Sequence, residues 1–213
     1  MPEPRRPSKQ PEENGNERIF IDYPCLRILC FLHSFLAARW LKAWVRQQWG
    51  EGFYRWYRLI YNLIVSLTFL PILALLAWLP DRTLYVIPFP WSLVTGFIQL
   101  LAVGTIFLAL LQSGLISFLG IDAFFSKPSS VNEKLVVTGL YAWVRHPIYT
   151  AGLVFLWLTP ILTRNLLALN IGLTLYLLVG AWLEERKMVA EFGEAYRQYQ
   201  RRVPMLVPYR FPK

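Results

Sequence analysis

Uncharged, strongly apolar runs separated by short clusters of charge set the pattern of this chain. Leu59 to Leu79 carries no charged residue. About 20 residues at helical rise match the hydrocarbon thickness of a bilayer, so this run predicts a membrane-spanning helix. Pro71 falls inside it, where neighbouring helices can re-satisfy the carbonyl that proline leaves free, so a kink is expected and not an end. Asp81-Arg82 marks the far side. Residues 86–121 again carry no charge. Pro88, Pro90 and Trp91 suit the interface, a second span is expected from Leu93 to Leu111, and Gln112-Ser113-Gly114 marks its exit. Two further apolar runs, Ile148 to Thr163 and Asn165 to Leu183, are separated by turn signals at Thr159-Pro160 and Thr163-Arg164-Asn165. They predict a transmembrane hairpin whose two feet lie on one side. Gly152, Gly172 and Gly180 would let its helices approach closely, or are merely tolerated in lipid.

The stretch Leu26 to Val45 is interrupted by Arg27, His33, Arg39 and Lys42, with Arg39, Lys42 and Arg46 on one helical face. An amphipathic helix lying in the interface is expected there, a short tilted span being the alternative. Residues 1–18 are rich in Pro, Glu, Lys and Arg and lack the apolar side chains needed to bury surface, so a disordered cytosolic tail is expected. The fold class is therefore all-α: a polytopic helical membrane protein of about four transmembrane helices ending in a helical hairpin. Residues 19–213 are read as one integral membrane domain, divided into an interfacial region (19–58), two spans (59–121) and the hairpin with its tail (133–208).

Composition changes the picture mainly through charge. The formal net charge is +9, with ten Lys or Arg in residues 1–58, five in the middle and seven in 184–213. Under the positive-inside rule both termini are expected in the cytoplasm, in the cytoplasmic membrane if the source is bacterial. The loop from Asp122 to Arg145, with Lys127, Lys134 and the turn signal Pro128-Ser129-Ser130, returns to that same side. The cations flank apolar spans and form no stripe on a soluble domain, which argues against nucleic acid as a partner. Cys25 and Cys30 match no metal or redox spacing, and no metal is expected.

The chemistry gathers at the feet of the hairpin. Arg145 and His146 stand immediately before Pro147, a residue suited to the first turn of a helix. A helix start presents free N–H groups and a positive dipole end, which favour an anionic group. Glu184 and Glu185 close the hairpin at the same edge. Ionisable groups beside hydrocarbon are expensive and mark sites, although Arg145 alone reads equally as a snorkelling anchor and His146 as a solvated cap. Glu184 could instead pair with Lys187 or Arg145 at the surface, and a surface ion pair suits Glu185 better still. Met188, Phe192, Tyr196 and Tyr199 form a stripe read as packing on membrane or neighbouring helices, with Gly193 ending no element. The site would offer cations and a helix start for a carboxylate, carboxylates for an ammonium or ribose hydroxyls, and the Tyr141 and Tyr149 faces for an adenine or sulfonium.

Leu135-Val136-Val137-Thr138-Gly139-Leu140-Tyr141, Arg145-His146-Pro147-Ile148-Tyr149, Glu184-Glu185 and Glu191-Phe192-Gly193-Glu194-Ala195-Tyr196-Arg197-Gln198-Tyr199 through Arg202-Val203-Pro204 resemble the isoprenylcysteine carboxyl methyltransferase and phospholipid methyltransferase superfamily. The resemblance covers roughly residues 133–208. It implies S-adenosyl-L-methionine as cofactor, a molecule that presents all the groups just named. It further implies cofactor contacts from Tyr141, from His146, Pro147, Ile148 and Tyr149, and from Glu184, with Arg145 and Glu185 beside them and Glu133 to Val136 aligned with a further contacting stretch.

Leu158-Thr159-Pro160-Ile161-Leu162-Thr163, Leu183-Glu184-Glu185-Arg186 and Val203-Pro204-Met205-Leu206-Val207-Pro208 are similar to the bacterial methanethiol S-methyltransferases, which implies a small thiol or other lipophilic acceptor together with membrane lipid as partners. More N-terminal membrane region is expected of those enzymes than this chain carries. Prenylcysteine enzymes have a substrate-binding arginine where Gly180 stands, so a prenylcysteine carboxylate has no partner here. Carboxyl O-methylation of isoprenylcysteine, phospholipid N-methylation, an NADPH-dependent sterol-type membrane reductase and a non-enzymatic scaffold stay open at this point. No residue is assigned as an acid or base.

Overall fold

The computed structural model describes residues 31, 35, 36, 38–54, 56–115, 119, 121 and 135–209. The N-terminal tail 1–18, Cys25, Cys30, His33 and the loop residues Lys127, Pro128, Ser129, Ser130, Glu133 and Lys134 lie outside them. Six helices are described, in the order α1 Arg39–Tyr54, α2 Tyr57–Trp78, α3 Trp91–Ser113, α4 Pro147–Trp157, α5 Arg164–Phe192 and α6 Glu194–Arg202. A short 3-10 turn, Gly139–Ala142, precedes α4. Two small strands, β1 Thr83–Val86 and β2 Ile161–Thr163, pair antiparallel.

Among the described residues three helices are long and apolar enough to cross a membrane, Leu59–Trp78 within α2, Trp91–Ser113 and Arg164–Phe192, and they fall where the uncharged runs predict them. Their large side chains face outward, with Leu63, Leu67 and Leu70 on α2 and Phe97, Leu100 and Phe107 on α3 all exposed to the surroundings. Outward apolar surface on this scale is what hydrocarbon solvates and water does not. Pro71 lies within the unbroken α2, and α3 ends where Gly114 adopts a left-handed φ of 93°. The helix expected over Leu26–Val45 is described from Arg39, passes a break at Gly50 (φ 73°) and runs to Tyr54. It buries Leu41 and Val45 and exposes Trp40, Trp44, Trp49 and Phe53.

One expected span is shorter than its apolar run. The apolar run from Ile148 to Thr163 is helical only to Trp157, just before the Thr159-Pro160 turn signal, giving α4 11 residues. At 1.5 Å per residue that is about 16 Å, half of a hydrocarbon core of about 30 Å. Pro160 cannot continue the helix, and the chain turns into β2, where Thr163, Leu162 and Ile161 oppose Thr83, Tyr85 and Val86. Ile87 N–H donates to the Pro160 carbonyl at 2.8 Å and Arg164 N–H to the Arg82 carbonyl at 2.9 Å, extending the pairing at both ends.

A helix end leaves carbonyls needing donors, and at the end of α4 side chains from both neighbours supply them. Gln99 Nε2 of α3 donates to the Phe155 carbonyl at 2.9 Å, and Asn170 Nδ2 of α5, fully buried, donates to Leu156 at 2.8 Å. Trp157 Nε1 donates to Thr174 at 2.9 Å. Ala102 and Ala109 on α3 and Ala151 on α4 are buried, small enough for these helices to lie against each other. Because Asn170 Nδ2 donates to the Leu156 carbonyl, Asn170→Leu is expected to cost about 1 kcal/mol and lower the thermal unfolding midpoint of the detergent-solubilised protein. An unchanged midpoint contradicts this account of the helix end.

Candidate functional site

Glu185 is the centre of the construction. It sits on α5, two turns before the helix end, and is 8% exposed. Its Oε1 lies 2.8 Å from Arg145 Nε, 2.8 Å from His146 Nε2 and 2.8 Å from the Tyr196 hydroxyl. Its Oε2 accepts from Arg145 Nη2 at 3.0 Å and from the Gln200 amide. The guanidinium thus grips the carboxylate with two N–H groups, the stronger geometry for such a pair. Arg145 Nη1 then donates to the carbonyls of Gln200, at 3.1 Å, and Val203.

Three segments converge on this one carboxylate: the residues before α4, the foot of α5, and α6 with the tail behind it. Gly193 makes the convergence possible. Its φ of 57° ends α5 and starts α6, so the chain turns back where a straight helix would have carried Tyr196 away. The sequence reading gave Gly193 no role; of the two surfaces it offered the stripe, membrane or neighbouring helices, Tyr196 and Tyr199 take the second. Tyr196 and Tyr199 are both buried, and Tyr199 donates to the Tyr141 carbonyl at 2.6 Å. Burial, then its hydrogen bond to Glu185, pushes the Tyr196 phenol above its ordinary value, so it remains a donor throughout the physiological range. Burial raises the Tyr199 phenol too, against the lowering effect of Arg145.

The tail also straps the start of α4. Arg145 N–H donates to Pro204 at 2.9 Å, His146 N–H to Met205 at 3.1 Å, and the Thr150 hydroxyl to Leu206 at 2.7 Å. Pro147 opens the helix, as its fixed φ favours, and is buried together with His146. Ile148 follows in the first turn. The 3-10 turn is seated by Gln112, whose Oε1 accepts from Leu140 N–H at 3.0 Å. Gly139 is required there: its φ is +63°, and a Cβ would meet the Gln112 amide at 2.6 Å.

Glu184, next in sequence, points elsewhere. One residue on a helix turns the side chain by about 100°. The Glu184 side chain is 40% exposed, its Oε2 lies 3.6 Å from His146 Nδ1, and the Tyr149 hydroxyl faces the same carboxylate. The His146 and Tyr149 rings stack at 5.4 Å with 6° between their planes. One turn before Glu184, Gly180 leaves room beside the Tyr149 hydroxyl, which a built Cβ would approach only to 3.8 Å. Tyr176 stands one turn earlier again on the same face of α5. Tyr141 borders this face through the Ser113 end of α3: burial raises its phenol, the Ser113 hydroxyl lowers it, and the Glu184 charge raises it further.

The sequence-predicted residues are therefore brought together but in two groups. His146, Tyr149 and Glu184 face one another beside Gly180, with Tyr141 at the border, whereas Arg145 and Glu185 occupy each other and face the tail. The surface ion pair expected for Glu185 is instead a buried clasp, because α6 and the tail cover it. Sequence reasoning missed Tyr176 and Gln200, and it read Tyr196 as packing without its hydrogen bond to Glu185. For Tyr176 a signal existed, since residues 176, 180 and 184 share one face of α5 at four-residue spacing.

On the opposite side of α4, a cavity of about 320 Å³ opens between α3 and α4, lined by apolar residues including Leu101, Trp143, Pro147 and Ala151. Among the described residues no group of three His, Cys, Asp or Glu could hold a metal ion.

Removing Glu185 alone would leave a buried guanidinium without its counter-charge, so Glu185→Ala is expected to cost about 3 kcal/mol or more of stability. Replacing both partners, Arg145→Met with Glu185→Leu, is expected to cost less than that single change. Thermal unfolding of the two variants decides it, and a double variant weaker than Glu185→Ala contradicts the clasp.

Comparison with known proteins bears on the same region. A family profile described as Phospholipid methyltransferase matches residues 91–195. The methanethiol S-methyltransferase of Crocosphaera subtropica is 30% identical over 210 residues, 97% of this chain and 81% of that enzyme. The methanethiol S-methyltransferase of Mycobacterium tuberculosis is 47% identical over 70 residues, 33% of this chain and 29% of its own length. The protein-S-isoprenylcysteine O-methyltransferase of Schizosaccharomyces pombe is 35% identical over 80 residues, 36% of this chain and 34% of that enzyme. No solved structure matches. Aligned over nearly its whole length with the first of these enzymes, the chain belongs to the superfamily of integral membrane methyltransferases that includes the phospholipid, isoprenylcysteine carboxyl and methanethiol S-methyltransferases.

Proposed function

We propose that this protein transfers a methyl group from S-adenosylmethionine to a small thiol, of the methanethiol kind, or another small lipid-soluble acceptor, at the face built by His146, Tyr149, Gly180 and Glu184. The observation that carries the reading is the asymmetry of the glutamate pair. Glu185 is saturated by donors from the protein, whereas Glu184, beside it, keeps an exposed carboxylate among phenol rings. That donor set fits the cofactor: the Glu184 carboxylate for its ammonium or ribose hydroxyls, and the faces of Tyr141, Tyr149 and Tyr176 for its sulfonium and adenine. When bound, the cofactor supplies an electrophilic methyl group.

The chain's own residues account for selectivity. Gly180 offers no cation to a prenylcysteine carboxylate and leaves a gap at the Tyr149 hydroxyl suited to a small acceptor. The apolar surroundings of α4 and α5 disfavour separated ions and so favour charge neutralisation between a thiolate and a sulfonium. The similarity to enzymes named methanethiol S-methyltransferase supports the same acceptor class. The cationic ends of the chain support a cytoplasmic orientation for this face.

The purified protein, given S-adenosylmethionine labelled in its methyl group together with methanethiol, larger thiols or a prenylcysteine, is expected to release volatile labelled dimethyl sulfide. Label in the prenylcysteine product alone would overturn the acceptor assignment. Gly180→Leu should raise KM for the thiol at least tenfold while cofactor affinity holds, since the new side chain fills the gap at Tyr149. An unchanged KM removes Gly180 from the acceptor site.

A further inference from the structure

The clasp fixes the orientation of His146 more tightly than ligand contact alone requires. A carboxylate can only accept hydrogen bonds, so the 2.8 Å contact from His146 Nε2 to Glu185 Oε1 places the ring hydrogen on Nε2, as inferred from the hydrogen-bond network. In the neutral imidazole Nδ1 is then the nitrogen with the lone pair. The residue is 7% exposed, its ring stacked on Tyr149 and held at Nε2 by Glu185, while its backbone N–H donates to the Met205 carbonyl. Nδ1 is thereby aimed at the face occupied by Glu184, 3.6 Å away and beyond hydrogen-bond distance.

We propose that His146 Nδ1 is the proton acceptor for the thiol, with Glu185 the positioning residue behind it; this rests on the methyl-transfer reading above. The thiolate, not the thiol, is the nucleophile. A free thiol ionises at a pKa of about 8.5, and apolar surroundings push it higher, so a thiol inside this membrane edge needs a base. The S–H bond breaks with its electron pair kept on sulfur, and the proton forms an N–H bond at Nδ1. The thiolate's new C–S bond replaces the one that the sulfonium gives up, so two neutral thioethers and one imidazolium result. That imidazolium lies between Glu185 at Nε2 and Glu184 at Nδ1, and the partly exposed Glu184 side chain passes the proton to water. Nucleophile, base and orienting carboxylate then stand in the order that activates weak nucleophiles elsewhere. The titratable and charged groups facing His146 are Arg145 before α4, Tyr149 on α4, Glu184 and Glu185 on α5, and Tyr196 on α6.

The chain has two histidines, so ¹⁵N-histidine NMR of the whole protein in detergent, with His33→Gln to identify the second signal, reads the tautomer directly. The Nε2–H form is expected, and an Nδ1–H form overturns the proposal before any turnover is measured. His146→Gln keeps a donor near Glu185 but removes Nδ1. Its thiol methylation at neutral pH, measured at saturating S-adenosylmethionine, should fall by about 10²–10⁴-fold. The loss should shrink about tenfold per pH unit as the thiol ionises by itself and should be partly restored by added imidazole. A loss that is the same at every pH, with cofactor still bound, makes His146 structural and overturns the proposal alone. A wild-type chain that binds no S-adenosylmethionine overturns the methyl-transfer reading and the proton acceptor with it.

Discussion

A carboxylate taken out of water beside hydrocarbon must be neutralised where it stands, and in this protein that necessity organises everything on the motif side. Glu185 collects Arg145, His146, Tyr196 and Gln200, donors that lie 40, 39, 11 and 15 residues away in the chain. Since leaving any member of such a network unpaired is costly, the start of α4, the foot of α5 and the tail have only one mutual arrangement in which all are satisfied. The reward of that arrangement falls on the neighbouring residue. With Glu185 consumed, Glu184 is held in place by a rigid helix yet left open to a ligand.

The far side of the hairpin solves a different problem with the same means. The short α4 ends where Pro160 and the strand pair take over, and amide side chains of Gln99 and Asn170 donate to the Phe155 and Leu156 carbonyls. Fixing α4 at its far end by amides and at its near end by the tail leaves its first turn little freedom. His146 and Tyr149 inherit their positions from both.

The long spans were legible in the sequence because hydrocarbon thickness imposes a length that no other constraint mimics: α2 and α3 lie where the uncharged runs put them. The residues at the site were legible as a set, since an Arg-His pair and two Glu at one membrane edge are costly there unless they partner one another or a ligand. Their division of labour was not. Adjacent residues on a helix differ only by a rotation, so which glutamate faces the tail is decided by where α6 folds, and that turns on the conformation of a single residue, Gly193. Nor could periodicity find β1 and β2, which have four and three residues and no alternation to read. The end of α4 at Trp157 lies just before the Thr159-Pro160 turn signal, but the strand that follows it was hidden, because Leu158 to Thr163 is as apolar as the helix before it while its backbone is held by β1.

The most direct test of the account is the thermal unfolding midpoint of wild-type protein and Glu184→Gln, each with and without saturating S-adenosylmethionine. Binding at a hundred times Kd stabilises a folded protein by about 2.7 kcal/mol. The wild type should gain that rise, while Glu184→Gln should unfold at the wild-type midpoint without cofactor and gain nothing with it. A variant that keeps the full cofactor-dependent rise would contradict the assignment of Glu184, and with it the division between a glutamate that builds the site and one that serves it.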